Sequence, residues 1–373
     1  MSYPQRPTRA EIDLAAIRHN FQQAQKFAGP ERHVLAVVKA DAYGHGAVPV
    51  ARELEAADAG HFGVALVEEG CELRAAGING EILVFGSIFP GQEEALLDQR
   101  LTPFLFDLEV ARRLDQAARS RGIRLACHVK LDTGMGRVGF LPEDLPAVLE
   151  EIKTLPGLHV DGVLSHLALA DELSSAVTTR QRSLFRQQLQ LFADAGFNPS
   201  WRHISNSAGL LGPELEECNL VRQGISLYGG YPGSGFEGKM DLRPVMSLRT
   251  VVAQVRVLPA GSGISYGHRF VTERKTRIAV LPIGYADGYN RLFTNSGRVI
   301  VRDQFAPVVG TVCMDWTLVD VTDIPSVVAG DTVTLLGRSA DLAITAEEWA
   351  EQLDTINYEI LCRIGQRVPR VYL

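Results

Sequence analysis

His33-Val34-Leu35-Ala36-Val37-Val38-Lys39-Ala40-Asp41-Ala42-Tyr43-Gly44-His45-Gly46 begins as a short apolar run rich in branched side chains and closes on a lysine followed by small, turn-forming residues. A run of that length with no polar alternation reads as a strand buried on both faces, as in a parallel sheet. Outward from it, similar runs recur at 61–65, 81–85, 102–105, 124–130, 158–164, 201–204 and 219–222, with longer segments of helical period between them. Repeated βα units of this kind build either a closed (β/α)8 TIM-type barrel or an open doubly wound sheet. Eight units favour the barrel.

Beyond residue 240 the texture changes. The stretches 245–258, 277–282, 298–301, 306–312 and 332–336 read as strands divided by Gly, Pro and Asp turns, with little helix between. The expected organisation is a barrel over 1–240 and a strand-rich C-terminal domain over 241–373, with residues 1–12 a candidate to pair with the second domain. Gly233-Ser234-Gly235-Phe236-Glu237-Gly238 is the expected flexible join. One late helix is signalled by Thr345 with Glu348 three residues on, a capping box ahead of Trp349 and Leu353.

The 373 residues carry 37 Lys+Arg against 44 Asp+Glu, a net charge of −7, which argues against a nucleic-acid surface built on general basicity. No apolar stretch approaches the roughly 20 residues that cross a bilayer. The N-terminus shows neither an apolar signal core nor a small-residue cleavage site, so a cytoplasmic location is expected. Five scattered cysteines without C-x-x-C spacing point to neither a disulfide framework nor a zinc site, and no metal is expected.

Barrel chemistry gathers where strands end. Lys39 closes a buried strand, and lost solvation pushes such an amine toward its neutral, nucleophilic form, able to make a Schiff base. The plain alternative is a snorkelling or ion-paired lysine. Lys130 shares a strand with His128 at period two and can point into the barrel near Arg137. Two buried cations there repel, so an anion is expected beside them.

The segment 36–46 resembles the cofactor-lysine signature of the alanine racemases, a fold-type III pyridoxal-phosphate family. Further similar segments follow in the same order: His128-Val129-Lys130-Leu131-Asp132-Thr133-Gly134-Met135-Gly136-Arg137, Ser165-His166, Asn206-Ser207-Ala208, Val221-Arg222-Gln223-Gly224-Ile225, Ile264-Ser265-Tyr266-Gly267, Cys313-Met314-Asp315 and Asn357-Tyr358-Glu359. The resemblance spans both expected domains.

That resemblance implies pyridoxal 5'-phosphate joined to Lys39, with Lys39 and Tyr266 as proton carriers on opposite faces of the substrate and alanine as that substrate. It places Arg222 against the pyridine nitrogen and His166 beside the ring. Tyr43, Ser207, the amides of Gly224 and Ile225, and Tyr358 are implied at the phosphate. Ser207 can equally be a plain helix N-cap. Arg137 and the Met314 amide are implied to hold the substrate carboxylate. Lys130 matches a lysine that is carbamylated in many relatives, although Asp132 or chloride would also satisfy the expected anion. Asp171, Tyr285 and Arg291 resemble entrance-channel residues. A phenol is a poor base at neutral pH unless positive charge favours its anion, and His203 is one candidate helper. The family further implies a homodimer with shared sites, supplying D-alanine for peptidoglycan.

The same residues admit other readings. A broad-specificity or serine racemase differs by pocket details worth only about 1–3 kcal/mol. A fold-type III amino-acid decarboxylase shares the architecture and gives Cys313 a role, but Tyr266 and Arg222 favour racemisation. A non-catalytic pyridoxal-phosphate carrier generally lacks the second domain.

Overall fold

The computed structural model describes residues 6–212 and 217–373. The chain forms two compact units. One comprises Ala16–Ala42 and Gly46–Arg243; the other takes Tyr43–His45, Pro244–Leu373 and the described N-terminal stretch through Ala15. Residues 1–5, included in the expected N-terminal pairing segment, lie outside the described residues.

The first unit is the expected (β/α)8 barrel. Its strands are His33–Val37, His61–Val64, Glu81–Val84, Leu101–Leu105, Leu125–Lys130, Leu158–Leu164, Trp201–His203 and Leu220–Gln223. The first seven pair in parallel in sequence order, and the first also pairs with the eighth through Val34↔Val221 and Leu35↔Arg222. The ring is nearly closed: between the seventh and eighth strands Asn219 N donates to Arg202 O at 3.1 Å and Arg222 N to Ser205 O at 3.2 Å. The strands read as continuous apolar runs because helices cover their outer faces. Leu108–Ser120 shows how such a helix is specified. Asp107 caps it by accepting from Glu109 N at 2.7 Å and Val110 N at 3.1 Å, and Ala111, Leu114 and Ala118 bury one face.

The second unit is mostly β. Its main sheet orders Gln304–Pro307, Arg298–Val301, Thr332–Ser339, Met246–Val251, Arg9–Ile12 and Arg370–Tyr372, with Leu342–Ile344 added to Thr332–Ser339. Arg9–Ile12 runs antiparallel to Met246–Val251 and parallel to Arg370–Tyr372. A three-stranded sheet of Gln254–Leu258, Thr276–Leu281 and Thr317–Asp320 stands apart, with Ile264, Ile278 and Val309 in a small core. The helix Ala346–Gln352 begins where expected, Thr345 Oγ1 accepting from Glu348 N at 3.1 Å.

Three expectations need correction. The stretch 245–258 is two strands, because the chain changes sheets at Val252 and Ala253. Within 306–312 the strand ends at Pro307, after which Gly310 turns at φ 76°. Gly233–Gly238 is no slack linker: Ser234–Phe236 is a 3-10 turn pinned by the fully buried Phe236 ring, with Lys239 Nζ over that ring at 5.0 Å.

Candidate active site

The C-terminal ends of the barrel strands carry most of the residues singled out in the sequence. After the first strand, Lys39–Gly44 coils as a helical turn of left-handed sense. Ala40, Asp41, Ala42 and Tyr43 all have φ between 52° and 54°, and Gly44 follows at 82°. An L-residue in that region costs roughly 1–2 kcal/mol, so several in succession need external support. Glu69 supplies it within the barrel unit. One of its carboxylate oxygens accepts from Ala40 N at 2.6 Å, and the other from Ala65 N at 2.7 Å and Leu66 N at 3.1 Å. Asp41 Oδ1 accepts from Ala47 N at 2.7 Å. Lys39 thus starts a braced turn of unusual hand. Sequence reading missed Glu69; its one signal is its place at the third position of the helix Val67–Ala75, where an acid reaches back to the preceding backbone.

Arg222, on the eighth strand, is buried, and burial pushes its guanidinium down to about 10, leaving it charged at neutral pH. Its Nη1 donates to His203 Nδ1 at 2.9 Å and His203 O at 3.1 Å. Its Nη2 donates to Ser165 O at 2.7 Å, Ile204 O at 3.1 Å and His166 Nδ1 at 3.2 Å. Every one of these partners is a neutral lone pair. Burial, then the charge of Arg222, holds both His166 and His203 well below the ordinary imidazole range, so both are uncharged. His128 meets His203, Nδ1 to Nε2, at 2.9 Å, and burial, His61 and Arg222 lower it to about 3. Gly162 makes room for that ring, since a Cβ there would sit 2.4 Å from it.

Lys130, at the end of the fifth strand, donates to Leu131 O at 3.0 Å. Burial and the charge of Arg222, helped by Arg137 and opposed by Asp132, lower its amine to about 7. Asp132 is committed elsewhere: its carboxylate accepts from the backbone of Gly134 and Met135, each at 2.9 Å, and of Gly136 at 3.0 Å. Burial opposes its ionisation, but these amides hold its pKa below the usual carboxylate value. Arg137 is exposed on the loop that follows, and Asp171 is exposed after the sixth strand.

At the start of Ser207–Leu211 the cap is Asn206, whose Oδ1 accepts from Gly209 N at 2.9 Å. The plain-cap reading of Ser207 therefore fails. Its Oγ instead accepts from Gly224 N at 3.0 Å and from Ser226 Oγ at 3.2 Å, joining this helix start to the turn that contains Ile225.

The β unit holds the remaining candidates. Tyr266 follows Ser265, whose φ is 61°, and precedes Gly267 at 71°. Its carbonyl is fixed by Thr311 Oγ1 at 2.7 Å, and Ser265 Oγ donates to Thr311 O at 2.6 Å. The backbone is pinned while the side chain is 74% exposed. Tyr285 and Met314 are also exposed and belong to loops tied together by Tyr285 N donating to Cys313 O and Ala286 N to Met314 O, at 3.0 and 3.1 Å. Gly284 is required there, as a Cβ would lie 2.2 Å from Cys313 O. Tyr266, His268, Cys313 and Trp316 line an open groove of about 1000 Å³. Arg291 is exposed nearby in sequence to Tyr285. Tyr43 and Tyr358 have ring centroids 6.0 Å apart, and burial raises the Tyr43 phenol well above its usual range.

The chemistry on hand is a lysine amine on a braced turn, a buried guanidinium among neutral imidazoles, a serine against the Gly224 amide, and a pinned but exposed phenol. The family models for the alanine racemase N-terminal and C-terminal domains match residues 12–232 and 245–372. An alanine racemase of Geobacter sulfurreducens is 47% identical over 372 residues, 99% of this chain and 97% of that protein. Among solved structures, the alanine racemase of Streptomyces lavendulae is 38% identical with a TM-score of 0.94, covering 100% of this chain and 98% of that one. The alanine racemase of Bartonella henselae, described with covalently bound pyridoxal phosphate, is 29% identical with a TM-score of 0.89, covering 98% and 99%.

Proposed function

We propose, for a chain that belongs to the alanine racemase family and interconverts L- and D-alanine, that Lys39 and the Tyr266 phenol carry the α-proton on opposite faces of an alanine bound to pyridoxal 5'-phosphate. The observation that carries this reading is the setting of Arg222. A buried guanidinium whose partners are all uncharged acceptors fits a further neutral acceptor, the unprotonated pyridine nitrogen, and does not fit a pyridinium. Leu35↔Arg222 register puts the strand that leads to Lys39 directly beside the one bearing Arg222. The Bartonella relative is described with covalently bound pyridoxal phosphate, which supports a covalently held cofactor of that kind here.

When bound, the cofactor supplies an electron sink that makes the α-proton removable. The chain's residues do the rest. Lys39 anchors it and moves a proton on one face. Arg222 keeps the sink weak, which favours return of the proton to the α-carbon over transamination. Ser207 with the Gly224 and Ile225 amides, Tyr43 and Tyr358 are assigned to the phosphate, and His166 to the flank of the ring. Arg137 and the Met314 amide hold the substrate carboxylate, fixing which α-bond breaks. Lys130, with its amine near neutrality, is suited to capture carbon dioxide as a carbamate with release of a proton, and so to become the anion expected beside Arg137; Asp132 is already engaged. Asp171, Tyr285 and Arg291 are assigned to the entrance.

The second proton carrier comes from a second copy of this chain. A phenol in open water has a pKa of about 10 and is a poor base. Tyr266, Tyr285, Met314 and Trp316 are large exposed side chains on these loops, the kind of surface an interface covers. The enzyme then supplies cytoplasmic D-alanine for peptidoglycan as a homodimer. Incubation with L-alanine, L-serine and L-lysine in deuterium oxide tests reaction and substrate together: α-deuterium and the D-enantiomer are expected in alanine. Exchange in serine or lysine at comparable rates would refute the substrate assignment.

A further inference from the structure

Arg222 imposes a direction of hydrogen bonding that can be followed down the barrel. A guanidinium only donates, so the His203 Nδ1 that it meets at 2.9 Å is a lone pair and that ring carries its proton on Nε2. His203 Nε2 lies 2.9 Å from His128 Nδ1, so His203 donates and His128 is in turn protonated on Nε2. That last N–H belongs to a ring with no exposed surface and has no hydrogen-bond partner among the described residues. An orphaned buried donor is costly, and native interiors rarely leave one unanswered.

Two carboxylates lie at hand. One oxygen each of Glu81 and Asp161 and a ring nitrogen of His128 are all within 4.8 Å of one another. Because Nδ1 is spent on His203, Nε2 is the nitrogen left for them. Both acids are braced: Thr102 Oγ1 donates to Glu81 Oε1 at 3.0 Å and Ser200 Oγ to Asp161 Oδ1 at 2.7 Å. Separations of this size suit a single shared water, which needs two to four polar partners. A divalent cation would need the Nε2 lone pair. That would move the proton to Nδ1, reverse His203, and aim an N–H at the guanidinium.

We propose that Glu81 and Asp161 are positioning residues for Arg222. Through one bridging water they accept the Nε2 proton of His128, and so hold His128 and His203 in the tautomers whose Nδ1 lone pairs receive donors from above. The effect on turnover rests on Arg222 facing the pyridine nitrogen; the tautomers themselves do not.

The test uses holoenzyme labelled with 15N in histidine, the two rings being assigned by loss of signals in His128→Asn and His203→Asn. Both rings are expected to be protonated on Nε2 between pH 7 and 9 in the wild type. Glu81→Gln/Asp161→Asn should shift both Nε2 signals toward the tautomeric average and lower kcat about fivefold, the size of one weakened buried hydrogen bond, with KM little changed. Asp161→Asn alone should do the same to a smaller degree and serves where the double variant does not fold. A proton on His128 Nδ1 in the wild type, or ring signals unmoved in the variants, overturns the proposal. Correct tautomers in a protein that fails to racemise alanine would instead sink the reading of the site and leave the relay standing.

Discussion

The nest around Arg222 and the loop that bears Tyr266 solve opposite problems. The first is built within one unit of a single chain: its cation is buried, its histidines are neutral, and both terminal nitrogens of the guanidinium have acceptors. The second has a rigid backbone and a side chain open to water. In the proposed mechanism the group that must hold a fixed charge is built into the fold, whereas the phenol is left open to serve a second copy. Lys39 stands in the barrel unit, at the head of a left-handed turn that Glu69 holds in place. Lys39→Ala should therefore remove turnover in both directions by at least about a thousandfold, together with the absorbance near ~420 nm expected of an imine. Residual racemisation with the coloured band intact would move the anchor away from position 39.

Tyr266→Ala should do less to the cofactor and more to symmetry. The coloured species stays, while proton abstraction from one enantiomer falls far more than from the other. Mixing the two defects sharpens the contrast between the halves. If each site takes its phenol from a second copy, coexpressed Lys39→Ala and Tyr266→Ala chains form hybrids with one intact site and recover a substantial part of wild-type activity. If each chain completed its own site, the mixture would stay as dead as its parts.

Lys130 comes next in size. Its amine, lowered to about 7, is neutral over much of the physiological range and open to carbon dioxide. Enzyme prepared and assayed without bicarbonate should lose activity about tenfold, chiefly through KM for alanine, and regain it when bicarbonate returns. Lys130→Ala should show the loss without the bicarbonate response. A bicarbonate response that persists in the variant places the carbamate elsewhere.

The barrel was legible because eight apolar runs at βα spacing leave few topologies open, and the lysine at the end of the first run pointed to the strand ends where the candidate residues gather. The short strands of the second unit were not. Gly263–Ile264 and Phe270–Val271 hold two residues each, too few for any period, and Gln304–Pro307 pairs through a turn that starts before the apolar stretch does. At the site, motif residues such as Lys39 and Arg222 could be read, whereas Glu69 could not, because its importance lies in the hand of a turn that side-chain pattern does not encode. His128 was legible only as the period-two neighbour of Lys130. Its partner His203 is 75 residues distant, and tautomer logic needs coordinates.

The buried His128 and the half-buried His61 also make the barrel unit sensitive to acid. His128 is held at about 3 and His61 at about 4, against an ordinary 6.5. Both folded-state values lie below the unfolded one, so between these limits the unfolded chain binds more protons. Stability is then constant above pH 6.5 from these groups and falls as pH drops toward 4 for His61 and 3 for His128. Each contributes a slope approaching roughly 1.4 kcal/mol per pH unit in that window. Urea unfolding of the holoenzyme between pH 7 and 5 should show the loss, and His128→Asn should flatten the curve by about one such increment even though it weakens the protein at pH 7. A variant with lower stability and an unchanged slope would mean that His128 takes up a proton in the folded state, and the neutral nest around Arg222 would no longer hold.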